Sequence, residues 1–508
     1  MKAAVRVLRD TYLDSVLQLL GARAMLRADG VEWATAVMAT AANLDALRHE
    51  GFDPPEAGPN DLVFAVRAAD ESDTAAAFAD GERAMFAAHG GGPDERALSG
   101  ADGGERATSG AHPRSLEEAL DRQPGSTVAV VSVPGDYAAL EAHKALSHGL
   151  DVLLFSDNVS VADEIALKEH AARRGRLLMG PGAGTALLAG VGLGFANVVR
   201  SGPVGVVAAA GTGAQEAMCL LDRWGVGLSQ VIGVGGRDLT RAVGGRMTAR
   251  AIEALDDDPA TELILVVSKP PDVEVARRVM AAARKTPLVA ALVGMEGGLP
   301  GAHVADTLEG GVVKVLELLG RPVPDLDRRH GPSVAEAVAR LSPERTTVRG
   351  LFSGGTLCYE AIVLLSRTVG PVWSNTPIDP RYGLPAPPGS HVCLDLGEEE
   401  YTRGRPHPMI DPEARVELLR ESGQDVAVVL LDVVLGHGAH PDPAGILAPE
   451  LSRLDGPQVV AYVLGTELDP QGYQEQVRRL AEAGCVVTET AARAARTAAA
   501  IATRRAAP

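Results

Sequence analysis

The stretch VGVVAAAGTGAQEAM at Val204–Met218 decides the fold, because it recurs as RGLFSGGTLCYEAI at Arg349–Ile362. Each copy is an apolar run, a glycine-containing turn with a hydroxyl residue, and a segment of helical spacing with Glu-Ala in its second turn. A strand and a second glycine-containing turn follow in each copy. They read VIGVGGRDLTRAVGGRMTARAIEAL and CLDLGEEEYTRGRPHPMIDPEARVELL, with Thr240-Arg241 and Thr402-Arg403 in register. A strong strand ending in polar residues comes next, LILVVSKPPD in one copy and VVLLDVVLGHGAHPD in the other. One ancestral α/β unit is present twice.

The same rhythm extends outward. From Ser126 apolar runs such as TVAVVSV, DVLLFS and LVAALVG alternate with amphipathic segments such as YAALEAHKALSHG and DVEVARRVMAAARK. Continuous apolar runs are strands buried on both faces, and their alternation with helices predicts parallel sheets with right-handed crossovers. Residues 1–86 read as a small α/β unit. Residues 87–125 are rich in Gly, Ala, Ser and charge, with no core-forming pattern, and read as a flexible linker. A second linker, 321–345, holds Pro322, Pro324, Pro332 and a short helix; 491–505 reads as a closing helix.

Composition excludes several functions. Aromatics are only 3% of the 508 residues, too few for base-stacking platforms, and the net charge of −18 disfavours a nucleic-acid footprint. Cys219, Cys358, Cys393 and Cys485 lie far apart, as expected of a reduced cytoplasmic protein. Arg6, Arg9, Asp10 and Asp14 interrupt the first apolar stretch, so no secretory signal is expected, and no apolar run is long enough to span a membrane.

The chemistry suggested by the repeat is anion binding. A glycine turn lets backbone N–H groups point into a cleft, and the helix behind it offers its positive end. Gly211, Thr212 and Gly213 form one such turn; Ser353, Gly354, Gly355 and Thr356 form the other. Tight strand-to-helix turns need glycine in any case, but the hydroxyls kept in both copies favour a phosphate held between the two helix ends. None of the six lysines follows a glycine, so there is no P-loop. In TRGRPHPMIDP, Pro406 and Pro408 stiffen a turn whose Arg403 and Arg405 suit a carboxylate or phosphate, with His407 between the prolines; a solvated surface turn is the plain alternative. Arg237, Asp238 and Arg241 are the first-copy counterparts. Lys269 ends a strand, where α/β sheets place ligands. His437, His440 and Asp442 sit in a Gly/Pro loop, which suits an acid–base, anion-binding or structural role better than a metal site, so no metal is expected.

At these residues a family becomes recognisable. VAVVSVPGDY, LLMGPGAGTAL, VGVVAAAGTGAQEAM and VIGVGGRDLTRAVGG, in that order, resemble the succinyl-CoA synthetase α subunit. FSGGTLCYEA, LGEEEYTRGRPHPMIDP, MATAANLDALRHEGF and LLFSDNVSVADEIALKEHAARRG resemble the FdrA family in particular. The resemblance implies a CoA-binding-like Rossmann unit at 126–201 and two flavodoxin-like ligase units at 202–320 and 346–508. In the synthetase two helix N-termini clasp the phosphate of a phosphohistidine carried in a Gly-His-Ala-Gly loop. Here the corresponding stretch is VGMEGGLPGAHVADT, in which His303 starts a strand. With no ATP-grasp region, the chain is not expected to phosphorylate itself from ATP, and CoA binding stays open. The FdrA family is also connected with oxamate carbamoyltransferase and its partner subunits. That link implies phosphate or carbamoyl phosphate as ligand, a small carboxylate or carbamoyl substrate, and an oligomeric assembly. An acyl-CoA synthetase with an ATP-handling partner and a non-catalytic anion-binding scaffold are the alternatives. Arg405, His407 and His437 are the candidate catalytic residues. The two glycine turns, Arg237, Arg241, Lys269 and Arg403 are the candidate anion ligands.

Overall fold

The computed structural model describes residues 2–9, 11, 13, 15–58, 61–87, 113, 115–402, 406–420, 423 and 425–505, and the chain forms two compact units. In the first unit, strands β1 (Lys2–Leu8), β2 (Val31–Met38) and β3 (Leu62–Ala68) make an antiparallel sheet in the order β1-β3-β2. Alternation along β3 feeds two cores. Leu62, Phe64 and Val66 meet Met25, Phe78 and Met85 on one face, and Val63 and Ala65 meet Leu44, Leu47 and Phe52 on the other.

The second unit holds three sheets. Strands β4 (Val128–Val131), β5 (Asp151–Leu154) and β6 (Leu178–Met179) are parallel. Next come β7 (Thr185–Leu188), β8 (Val191–Gly194), β9 (Ser201–Ala208), β10 (Leu228–Gly233), β11 (Leu263–Ser268), β12 (Leu288–Leu292) and β13 (His303–Ala305). They form one seven-stranded sheet, ordered β13-β12-β11-β9-β10-β7-β8. The last sheet contains β14 (Arg329–His330), β15 (Thr347–Phe352), β16 (Val372–Trp373), β17 (His391–Asp395), β18 (Val426–Val434), β19 (Gln458–Leu464) and β20 (Val486–Thr488), ordered β14-β20-β19-β18-β15-β17-β16.

The repeat is therefore architectural. The parallel order β13-β12-β11-β9-β10 in one sheet matches β20-β19-β18-β15-β17 in the other. Ala208 lies level with Gly233 and Val267; Phe352 lies level with Asp395, one residue past Leu351, which pairs with Leu431. Gly211 then corresponds to Gly355, Thr212 to Thr356 and Glu216 to Glu360.

The helices Gly211–Arg223 and Gly355–Val369 bring the two sheets together. A Cβ on Gly213 would stand 3.0 Å from Thr356 Cγ2, and one on Gly354 would stand 2.8 Å from Thr212 Cγ2. These glycines thus permit helix-to-turn contact. The helices also cap each other's sheets. Glu360 Oε1 accepts from the N–H of Leu308 at the start of helix Leu308–Leu318, at 2.7 Å; Glu216 Oε1 accepts from that of Ala491 at the start of helix Ala491–Thr503, at 3.4 Å. Both carboxyls are fully buried. Burial raises Glu216 to about 7 and Glu360 to about 8.

Two features depart from the expectations drawn from sequence. Leu116–Arg122, within the stretch read as a linker, is a helix whose first turn is capped by Ser115; residues 88–112 and 114 of that stretch lie outside the described residues. And β7 and β8, read with the 126–201 unit, hydrogen-bond into the following sheet through β10. The antiparallel hairpin is short and its Gly-rich sequence carried no sign of its partner.

Candidate functional site

Strand-to-helix crossovers open at the carboxyl ends of parallel strands, and in the second unit the two central crossovers open onto one cavity of about 420 Å3. Its lining includes Gly211, Thr212, Gln215 and Lys269 from the first copy, with Ser353, Gly355, Thr356, Asp395 and His407 from the second. The two predicted turns are therefore in one place.

They are not chemically equal. At the first turn the N-cap is Ala210, which has no side chain to offer, and the N–H groups of Gly211, Thr212 and Gly213 have no acceptor among the described residues. At the second turn, Ser353 N–H and Oγ–H and Gly354 N–H all donate to the carboxylate of Asp432, each at 2.8 Å. Asp432 is itself held by Arg415, which donates to its carboxylate at 3.0 Å and to its backbone carbonyl. Both side chains of that pair are buried. Thr356 N–H donates to Thr212 Oγ1 at 3.3 Å. The residues just before the second helix thus already hold a protein carboxylate, whereas those before the first do not; Gly355 N–H, like Gly211 N–H, has no acceptor among the described residues.

Three further groups set the electrostatics. Lys269, one residue beyond β11, lies over the Tyr359 ring at 5.5 Å, and its ammonium has no ion-pair partner among the described residues. Asp395 ends β17 and is only 3% exposed. Its Oδ1 accepts from Gly397 N–H at 3.0 Å, and its Oδ2 sits so close above Gly355 that a Cβ there would be 2.4 Å away. Burial raises Asp395 to about 6, with Lys269 opposing and Glu398 reinforcing the rise. His407 is pushed down to about 4, mainly by burial, so it is neutral at pH 7. Its Nδ1 accepts from Met409 N–H at 3.3 Å, which assigns the ring proton to Nε2. His407 can therefore donate one neutral hydrogen bond.

Other expected residues are elsewhere. Arg237 pairs with Glu164 at 2.8 Å and donates to the carbonyl of Val159. Arg241 is largely exposed and pairs with Asp272 at 2.9 Å. His437 is exposed and does not line the cavity. Its loop is occupied by local bonds: Asp442 N–H donates to His440 Nδ1, and the Asp442 carboxylate caps helix Pro443–Leu451 and pairs with Arg479. Asp238 is part of a buried cluster with Lys168 and Thr248. Arg403 and Arg405 lie outside the described residues, and His303 begins β13 on an exposed edge. Asp395 and Asp432 were not anticipated. The strand-end rule that singled out Lys269 applies equally to Asp395 in HVCLDLG and would have found it.

The CoA-ligase family model matches residues 351–501, and the model of the AllF heavy metal-associated domain matches residues 1–98. Residues 1–98 contain no cysteine, and no group of three or more potential metal ligands occurs among the described residues. The chain is 26% identical over 158 residues to the succinate–CoA ligase [ADP-forming] α subunit of Methanothermobacter thermautotrophicus, spanning 30% of this chain and about half (52%) of that one. An acetyl-coenzyme A synthetase of Ca. Korarchaeum cryptofilum superposes with a TM-score of 0.31 at 16% identity, over 74% of this chain and 83% of that one. Among the described residues no helix is long and apolar enough to cross a membrane. Over 514 aligned residues, covering 96% of each chain, the protein is 38% identical to the uncharacterized protein YahF of Escherichia coli K12. It belongs with YahF to the FdrA-like family, a relative of the CoA ligases and of the succinyl-CoA synthetase α subunit.

Proposed function

We propose that the chain is a cytoplasmic subunit of an oligomeric group transferase that moves a carbamoyl group between a small carboxylate and phosphate. The reaction in this reading is oxalurate plus phosphate giving oxamate plus carbamoyl phosphate, with partner subunits completing the enzyme. The observation that supports it best is the uncapped Gly211 turn beside the unpaired Lys269 ammonium, in a cavity of about 420 Å3. That brings N–H donors and one ammonium to the same cavity as Asp395 and Glu398, in a chain of net charge −18. A phosphate oxygen attacks the carbamoyl carbon, the carbon–nitrogen bond to oxamate breaks, and the departing nitrogen takes up the proton that phosphate gives up. Backbone N–H groups of the turn would stabilise the oxyanion. His407 would add a neutral donor. The exchange consumes neither ATP nor CoA.

Similarity to succinate–CoA ligase favours a second reading, an acyl-CoA synthetase half that relies on an ATP-handling partner. Calorimetric titration with phosphate, carbamoyl phosphate, oxamate, CoA and ATP separates the two. Mutually competitive binding of phosphate and carbamoyl phosphate, without CoA or ATP, is expected. CoA binding in the absence of phosphate binding would favour the synthetase, and phosphate binding with no transferase activity in the assembled enzyme would leave the non-catalytic anion-binding scaffold.

A further inference from the structure

The repeat makes the cavity symmetric in backbone and opposite in charge. Positions that carry Gly233, Val267 and Lys269 in the first copy carry Asp395, Asp432 and Val434 in the second. Asp432 is saturated by Ser353, Gly354 and Arg415. Asp395 is not. Its Oδ1 has Gly397 N–H, but Oδ2 has no protein donor among the described residues and keeps a little solvent access, in a residue only 3% exposed that lines the cavity. A ligand that fills the cavity takes water away from this acceptor, a cost that an N–H group on the ligand offsets and an apolar group does not. Glu398 lines the same side of the cavity and adds to the negative potential there.

We infer that Asp395 is a specificity-determining residue that accepts a hydrogen bond from an N–H group of the ligand, while the Gly211 turn and Lys269 hold the ligand's anionic end. This rests on the proposed phosphate site and adds to it which small anions are admitted. The cavity selects those bearing an amide, ureido or carbamoyl nitrogen and discriminates against isosteres with a methyl group in that place. Discrimination of this kind is strong when a site is built to bond a polar group, because the isostere strands the buried acceptor.

Carbamoyl phosphate and acetyl phosphate differ only in NH2 against CH3 and are the natural probes. Calorimetry on the full chain at pH 7.5 is expected to show carbamoyl phosphate binding at least about 10-fold more tightly than acetyl phosphate. In Asp395→Asn, which keeps the Oδ1 bond to Gly397, the ratio should fall to within about 3-fold, with inorganic phosphate bound no more weakly than before. The wild-type ratio decides the matter even if the variant fails to fold. Equal binding of the two acyl phosphates, with inorganic phosphate still bound, would overturn the role of Asp395 and leave the phosphate site standing. Loss of discrimination together with no phosphate binding by the wild type would overturn both.

Discussion

After β9 the chain turns through Ala209 and Ala210 into its helix; after β15 it turns through Ser353 and Gly354 into the matching one. The backbones correspond residue for residue, yet Ala210 N–H has no acceptor among the described residues, whereas Gly354 N–H, its counterpart, donates to Asp432. The sheet register explains the difference. Val267 lies beside the first turn and can offer its neighbour only a carbonyl, which accepts from Ala209 N–H; Asp432 lies beside the second and offers a carboxylate. A duplicated fold can thus leave one strand-to-helix turn open while filling the other with a side chain. The comparison also warns that a Gly/Thr turn before a helix is no proof of an open anion site.

The largest expected effect comes from breaking the filled turn. Asp432→Ala leaves Arg415 buried without its carboxylate and strands the Ser353 and Gly354 N–H groups. Removing one partner of a buried ion pair costs about 3–5 kcal/mol. Chemical denaturation should show a loss of that size, whereas Val267→Ala, its counterpart, should lose only about 1–2 kcal/mol of packing. Similar losses for both would mean the second turn is not held by its carboxylate.

The paired glutamates test the interface between the copies through pH. Glu360, raised to about 8, and Glu216, raised to about 7, both titrate above their ordinary 4.5. The folded chain therefore keeps protons that the unfolded chain releases. These groups favour folding fully below about pH 4.5; their contribution declines as pH rises and is lost by about pH 8. Glu360→Gln mimics the protonated form and keeps the bond from Leu308 N–H. It should be more stable than wild type at pH 8.5 by roughly 4–5 kcal/mol and about equal at pH 4.5. An identical pH dependence for variant and wild type would exclude Glu360 as a source of the decline.

How far the site could be read from sequence follows from the same residues. The repeat, the parallel sheets and the meeting of the two turns are legible because apolar runs and glycine turns are local signals. Charge at the cavity is not local. Asp432 sits inside the apolar run VVLLDVV, and only the β15–β18 register aims it at Ser353. Arg237 and Arg241 read as free cations, but Glu164 from a preceding helix and Asp272 beyond β11 claim them. Gly213 and Gly354 read as turn formers, and the fold uses them for contact between the copies.

Lys269 and Val434 occupy matching positions, so they sharpen the comparison directly. Lys269→Met removes the unpaired ammonium while keeping a long apolar stem beside Tyr359. A charge-assisted bond is worth roughly 1.5–3 kcal/mol, so phosphate affinity should fall by about 10-fold or more. Val434→Ala should leave it unchanged. Equal effects would place the phosphate between the copies and not on the first.

The smallest effect separates the two hydroxyls. Thr212 lies on the turn with free N–H groups, and Thr356 lies on the helix whose preceding N–H groups are spent on Asp432. A neutral hydroxyl bond contributes about 0.5–1.5 kcal/mol, so Thr212→Val should weaken phosphate binding by about 5-fold. Thr356→Val should weaken it by less than about 2-fold. Because Thr212 Oγ1 also accepts from Thr356 N–H, stability must be measured beside affinity; Thr212→Ser keeps that acceptor and should restore both. If Thr356→Val is the more damaging of the two, the ligand sits at the second helix end despite Asp432, and the division of labour between the copies is reversed.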